Sequence, residues 1–199
     1  MQNTSKITQD FGIDGYSKYL IIDVETNGIG TFHPPTQTPI QISYQLIDYL
    51  GNSLEKVSYF IQGVNKISWP EETIGKCPWS VEFINENGIT IIEFINQLKK
   101  HLDNNTLIVG HNIEFDVGCI ANYSGYSKLL QYPILCTMKT TTNICKLHPY
   151  RGGNYKYPKL VELAHKLRIK VENEKFHDSI YDVEITKQCL LKLLHVCKY

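Results

Sequence analysis

The segment KYLIIDVE at residues 18–25 constrains this chain more than any other. Lys18–Val24 is a short apolar run closed by Thr26-Asn27-Gly28, the pattern of a buried central strand. Such a strand needs neighbours in a sheet and cover on its faces, so it calls for a layered fold. It also delivers two acids. Side chains alternate across a strand, so Asp23 and Glu25 point to the same side if the strand continues through them. An isolated D-x-E is most often a polar strand end. Here the pair sits against an apolar run, and burying two like charges is costly without a cation partner.

Ile40–Leu50 and Leu54–Ile61 read as two strands joined by Gly51-Asn52-Ser53, with alternation clearest at Ile40, Ile42, Tyr44 and Leu46. Residues 79–86 suggest a short helix ended by Asn87-Gly88. Thr90–Leu102 predicts a helix whose Thr90 and Glu93 form a capping box, with Ile91, Phe94, Ile95, Leu98 and Leu102 on one face. Leu107–Gly110 is a second buried strand, followed by a helix from Ile113 and a brief strand at Ile134–Cys136. A helix is expected over about 137–146, another opened by Pro158 through Leu167, and a last one from Asp178 to Val196. The loops at 27–39 and 148–157 are rich in glycine and proline. The fold class is α/β, with a mixed sheet of five strands flanked by helices.

At 199 residues the chain suits one domain, here 17–199 behind a polar arm at 1–16. Twenty basic and twenty acidic residues give zero net charge, which argues against coating long nucleic acid and favours a local grip on a chain end. The six cysteines include no C-x-x-C pair, so they are expected to be free thiols in a reducing compartment. The N-terminus lacks a basic-plus-apolar signal, and no apolar run approaches the ~20 residues that cross a bilayer. The expectation is an intracellular, cytoplasmic protein that does not enter a membrane.

Three further residues extend the acid pair. Asp116 follows the second buried strand in VGHNIEFD, and His177 and Asp182 bracket HDSIYD at the start of the last helix. Five positions are about 1.4 helical turns, so a short loop before the helix lets both reach one centre. Each has a mundane explanation alone: Asp116 complements a helix dipole, and His177 is solvated. His33, His101, His148, His165 and His195 take that solvated reading. Five such residues in this order, on these elements, describe a site for hard divalent cations against a phosphodiester.

At this point the chain resembles the DnaQ-like 3′–5′ exonucleases of the DEDDh group, which include the proofreading epsilon subunit of bacterial replicases and RNase T. IIDVETNG, VGHNIEFD and HDSIYD resemble their three motifs; PIQISY and YPKLVELAHKL resemble neighbouring elements, so the likeness runs over about residues 18–195. The tyrosine variant of the superfamily has Tyr four residues before the last acid, where this chain has Asp178. The resemblance implies an RNase H-like sheet and two divalent cations, Mg²⁺ or Mn²⁺, held by Asp23, Glu25, Asp116 and Asp182. It makes His177 the general base, since an imidazole can accept a proton at neutral pH. Thr26 with the Val24 backbone is expected to meet the terminal 3′-hydroxyl. His111 and Phe115 are expected to line the terminal-nucleotide pocket, Phe115 as a stacking face worth about 1–3 kcal/mol.

The implied activity is release of 5′-mononucleotides from the 3′ end of single-stranded DNA, in proofreading or repair. An RNA 3′-processing exonuclease is the enzymatic alternative, and an inactive end-binding module the non-enzymatic one. The intact acids and His177 speak against the latter. Replicase proofreading subunits often carry a C-terminal extension that tethers them to the polymerase; here the sequence stops at Tyr199, which favours a free-standing enzyme. The 27–38 and 148–157 loops, with their Tyr, Pro, Gly and Arg151, are candidate flanks for the strand.

Overall fold

A computed structural model describes residues 13, 15–27, 38–64, 79–149 and 152–196. The apolar run becomes β1, Lys18–Thr26, and its strand geometry does extend through both acids. The next two strands are β2, Pro39–Asp48, and β3, Ser53–Phe60. They meet at a tight hairpin. Asp48 Oδ1 accepts from the amides of Leu50 and Asn52 at 2.9 and 2.8 Å, and Gly51 supplies the left-handed φ of 92° that the turn needs. β4, Thr106–Gly110, and β5, Ile134–Cys136, complete a sheet in the order β3-β2-β1-β4-β5. β1 pairs antiparallel with β2 and parallel with β4, so the expected mixed five-stranded sheet is present.

One face is covered by α1 to α3: Val81–Asn87, Ile91–Leu98 and Ile113–Ser124. The Thr90–Glu93 capping box forms as expected, but the α2 ladder stops at Leu98 and tightens into a 3-10 turn over Lys99–His101. Leu20, Ile22, Val24, Ile42, Tyr44 and Leu46 meet Phe94, Ile95, Leu98, Ile113 and Val117 there. Each such side chain removed from water stabilises the fold by about 1.5–3 kcal/mol. His101, expected to be solvated, is instead 13% exposed in its side chain and bridges Tyr44 and Glu55. A buried phenol needs a partner, and this imidazole is one.

The last helix, Ser179–Val196, lies across the other face and sets Val183 and Leu190 on Tyr19, Ile21, Ile47, Leu107 and Val109. Ile13 and Tyr16 join that cluster, so the end of the expected N-terminal arm is docked on the core; residues 1–12 lie outside the described residues. Between β5 and this helix run α4, Thr137–Thr140, α5, Thr142–Cys145, and α6, Leu160–Lys166; the last helix is therefore α7. The single helix expected over 137–146 is broken at Thr141. Thr140, Thr141 and Thr142 each turn their hydroxyl back to the carbonyl four residues earlier, at 2.8, 2.7 and 3.0 Å, which competes with the ladder and bends it. Pro158 precedes α6 rather than opening it; Lys159 is the cap, and its amide donates to Glu162 at 2.8 Å. The four described cysteines, Cys119, Cys136, Cys145 and Cys189, are buried free thiols; Cys77 and Cys197 lie outside the described residues. Among the described residues no helix is long and apolar enough to cross a membrane.

Candidate active site

Along β1 the side facing α7 changes character. Tyr19 and Ile21 are buried apolar residues, while the next two on that side are Asp23 and Glu25. In the antiparallel register Asp23 stands opposite Ser43 and Glu25 opposite Gln41. A register irregularity between Glu25 and Thr26 then ends the regular pairing, the kind of local kink that re-aims side chains beside active sites. Asn27 closes the loop neck by accepting from the Thr38 amide at 2.8 Å; residues 28–37 lie outside the described residues.

Asp116 arrives from β4. β4 ends at Gly110, where a Cβ would come within 2.9 Å of the Ile22 carbonyl and 2.7 Å of an Ile113 methyl. Glycine therefore lets the chain turn tightly against β1, and Asn112 takes a left-handed φ of 78° to start α3. The Asp116 side chain, 4% exposed, then accepts from the Val24 amide at 3.1 Å. That hydrogen bond joins the first two motifs. It also occupies the Val24 N–H, a group expected near the substrate.

The third motif is clamped to β2. Gln41 donates to Asp178 at 3.0 Å and accepts from the Ser179 amide at 3.2 Å. Ser43 meets the Ser179 hydroxyl at 2.6 Å and donates to Ser58 at 2.8 Å. His177 adopts φ 72°, so it and Asn112 are two of the four described non-glycine residues with positive φ, one before each acid-bearing helix. Strain of this kind gathers where surrounding contacts over-determine a site. The result brings ligand atoms of Glu25, His177 and Asp182 within 4.8 Å of one another. His177 is exposed at the rim, whereas Asp182 is 8% exposed and lies below it. Asp182 Oδ2 accepts from the His177 amide at 3.3 Å, while its Oδ1 is buried with no hydrogen-bond partner among the described residues.

Burial and repulsion from neighbouring carboxylates raise all four acids. Burial, then the charges of Asp116, Asp182, Glu25 and Asp178, push Asp23 well above the carboxylate range. Asp116 is raised by burial against the opposing Val24 hydrogen bond. Burial raises Glu25 as well, offset in part by His177. Asp182 is raised to about 7 by burial and by Glu25. Lone buried carboxylates resist ionising, and mutually repelling ones more so, unless a cation compensates them. An orphaned carboxylate oxygen, in a donor set of carboxylates with one imidazole, fits a divalent ion such as Mg²⁺ or Mn²⁺.

Other expected contacts divide. Thr26 ends β1 half-buried, and Phe115 is half-buried on α3 and belongs to none of the apolar clusters among the described residues. His111 holds its own neighbourhood together. Its Nε2 donates to the Pro158 carbonyl at 2.9 Å and its Nδ1 meets the Thr137 hydroxyl at 3.0 Å. Burial lowers this imidazole to about 4, so it is neutral and fastens the loop before α6 to the end of β4. Sequence reading missed Gln41, Ser43 and the role of Asp178. Gln41, Ser43 and Gln45 are polar residues on alternate positions of β2, a pattern that by itself suits an outward face.

The fold thus sets Glu25, His177 and Asp182 together, with Asp23 and Asp116 close enough to feel the Glu25 charge. The chain belongs to the exonuclease family: the RNase T-type family model, described as exonuclease, matches residues 20–190, a span holding all five residues. The DnaQ-like resemblance of the sequence is thus borne out. No curated protein sequence matches. Among solved structures, E. coli exonuclease I in complex with a dT13 oligonucleotide aligns with TM-score 0.68 and 20% identity, covering 92% of this chain and 42% of that one. A structure of exonuclease I described as suggesting how processivity is achieved aligns at 0.69 and 19%, covering 90% and 41%. A product-bound exonuclease I aligns at 0.66 and 17%, covering 91% and 46%. The fold is therefore the RNase H-like exonuclease fold, and this chain spans less than half the length of those proteins.

Proposed function

We propose that this chain is a divalent-cation-dependent 3′–5′ exonuclease that releases 5′-mononucleotides from single-stranded DNA, as in proofreading or repair. The observation carrying this reading is the buried acid cluster with its unpartnered Asp182 oxygen. Asp23, Glu25, Asp116 and Asp182 would hold two cations, Mg²⁺ or Mn²⁺. Bound there, such ions supply the charge that stabilises the attacking and leaving oxygens of a phosphodiester. His177, exposed beside Glu25 and Asp182, takes the proton of the attacking water. Thr26 and Phe115 contact the terminal nucleotide. Val24 and His111 contribute by holding those elements in register, through Asp116 and Pro158.

DNA is favoured because the similar exonuclease I is described with a dT13 oligonucleotide. The test is a matched comparison of 3′-labelled single-stranded DNA and RNA, each with Mg²⁺, Mn²⁺ or chelator. Expected is labelled mononucleotide from DNA with either metal and none with chelator. Metal-independent release would sink the cation assignment, and faster release from RNA would overturn the DNA assignment.

A further inference from the structure

A cleft of about 620 Å³ opens at the 148–157 loop, one of the two loops that the sequence marks as candidate flanks for the strand. Its walls are the start of α5, with Asn143, and the loop before α6, with His148, Asn154, Tyr155 and Tyr157. Among the described residues its lining contains no carboxylate and no leucine, isoleucine or valine, so these neither repel a phosphodiester chain nor ask for an apolar ligand. The volume falls within the roughly 300–1,000 Å³ of small-molecule sites. Tyr157 is 57% exposed and Tyr155 38%. Tyr155 is held edge-on to His148 at 5.9 Å between ring centres.

The loop is braced. The Lys156 amide donates to the Leu147 carbonyl at 3.0 Å, Lys156 Nζ meets Glu162 at 2.6 Å, and the Pro158 carbonyl is held by His111. A preformed cleft binds with less ordering cost than a loose one. Its position relative to the second motif follows from one hydrogen bond: His111, five residues before Asp116, holds the carbonyl of Pro158, next to Tyr157, at 2.9 Å. Lys139 Nζ meets Glu114, two residues before Asp116, at 2.6 Å. The cleft thus opens from a loop fastened to the end of β4, where the second motif begins.

We propose that this cleft receives the single-stranded DNA on the 5′ side of the terminal nucleotide, with an unpaired base stacked on Tyr157 or Tyr155. The proposal rests on the exonuclease reading. Exposed tyrosine faces suit any base, because stacking needs a π face and not a particular hydrogen-bond edge. Duplex DNA hides those faces, so the cleft selects unpaired strands.

The test uses the full chain and its Tyr155→Ala/Tyr157→Ala variant, with 3′-labelled oligothymidylates from the dinucleotide to about twelve nucleotides and Mn²⁺. In the wild type, KM falls as the strand lengthens. In the double variant that gain is reduced at least about fivefold, the low end for one lost base stack, and Tyr155→Phe/Tyr157→Phe restores it. An unchanged length dependence in the alanine variant overturns the cleft proposal and leaves the exonuclease intact. Binding of a fluorescent oligothymidylate in chelator, read by anisotropy, isolates the cleft from catalysis. If the wild type hydrolyses nothing, the exonuclease reading fails. Tyrosine-dependent binding then supports the cleft, and tyrosine-independent binding overturns it.

Discussion

On one face of the sheet Leu20, Ile22 and Val24 of β1 meet Phe94 and Ile113 in a wholly apolar cluster. On the other face the intervening residues of the same strand run from Tyr19 and Ile21 to Asp23 and Glu25. There α7 covers Ile21 with Val183 and Leu190 but meets Ser43 with Ser179 and closes on the acids with Asp182. One strand therefore carries a dry face that stabilises and a face that is stabilising at one end and self-repelling at the other. Strand alternation lets the two be tuned apart, since removing a residue from one face leaves the other side's packing in place.

The largest expected effect is on the acidic end. Asp23→Ala removes a group whose loss forfeits several kcal/mol of charge stabilisation, so nucleotide release with Mn²⁺ falls by about 10³-fold or more. The metal-free thermal midpoint rises, because a buried and repelled carboxylate has gone. Phe94→Ala, on the dry face, has the opposite profile: about 3–5 kcal/mol less stable in denaturant titration, with activity per folded molecule retained. A stable, inactive Phe94→Ala protein would break the separation of the faces. His177→Ala lowers single-turnover hydrolysis by about 10²-fold. Gln41→Ala, which releases Asp178 and the Ser179 amide, lowers activity by about 10–100-fold, as loss of a ligand-supporting hydrogen bond does.

These contrasts also mark what the sequence discloses. The acids of β1 are legible because a D-x-E closing an apolar run fixes both their side of the sheet and their burial. Asp116 and Asp182 are legible only through motif order, since nothing local distinguishes them from helix first-turn acids. Gln41 and Ser43 escape because alternation in PIQISY leaves polar positions for an outward face. Only the placement of α7 turns that face inward. The break at Thr141 escapes for a similar reason: helix length follows from periodicity, while hydroxyls competing for backbone carbonyls do not show in it. The hydrogen bond from His111 to the Pro158 carbonyl escapes too, because nothing in the motif shows which backbone carbonyl will stand opposite its Nε2.

The smallest effect is a pH dependence confined to the acidic end. Asp182 ordinarily titrates near 3.8 and is raised to about 7 in the fold. The folded, metal-free chain thus holds a proton that the unfolded chain has released between about pH 4 and 7. Its contribution is fully present below pH 4 and is lost as pH rises through 7. The metal-free midpoint is expected to be lower at pH 8 than at pH 5, and Asp182→Asn reduces that slope while Asp23, Asp116 and Glu25, also raised, keep part of it; a midpoint rising over this window would contradict the assignment.

The thermal midpoint of the wild-type chain at pH 8, with Mn²⁺ and then with chelator, asks directly whether the repelling acids are a cation site. The account predicts a clear rise with Mn²⁺ that Asp23→Ala and Asp182→Ala each abolish. An equal midpoint with and without the ion, or the same rise in both variants, would contradict it.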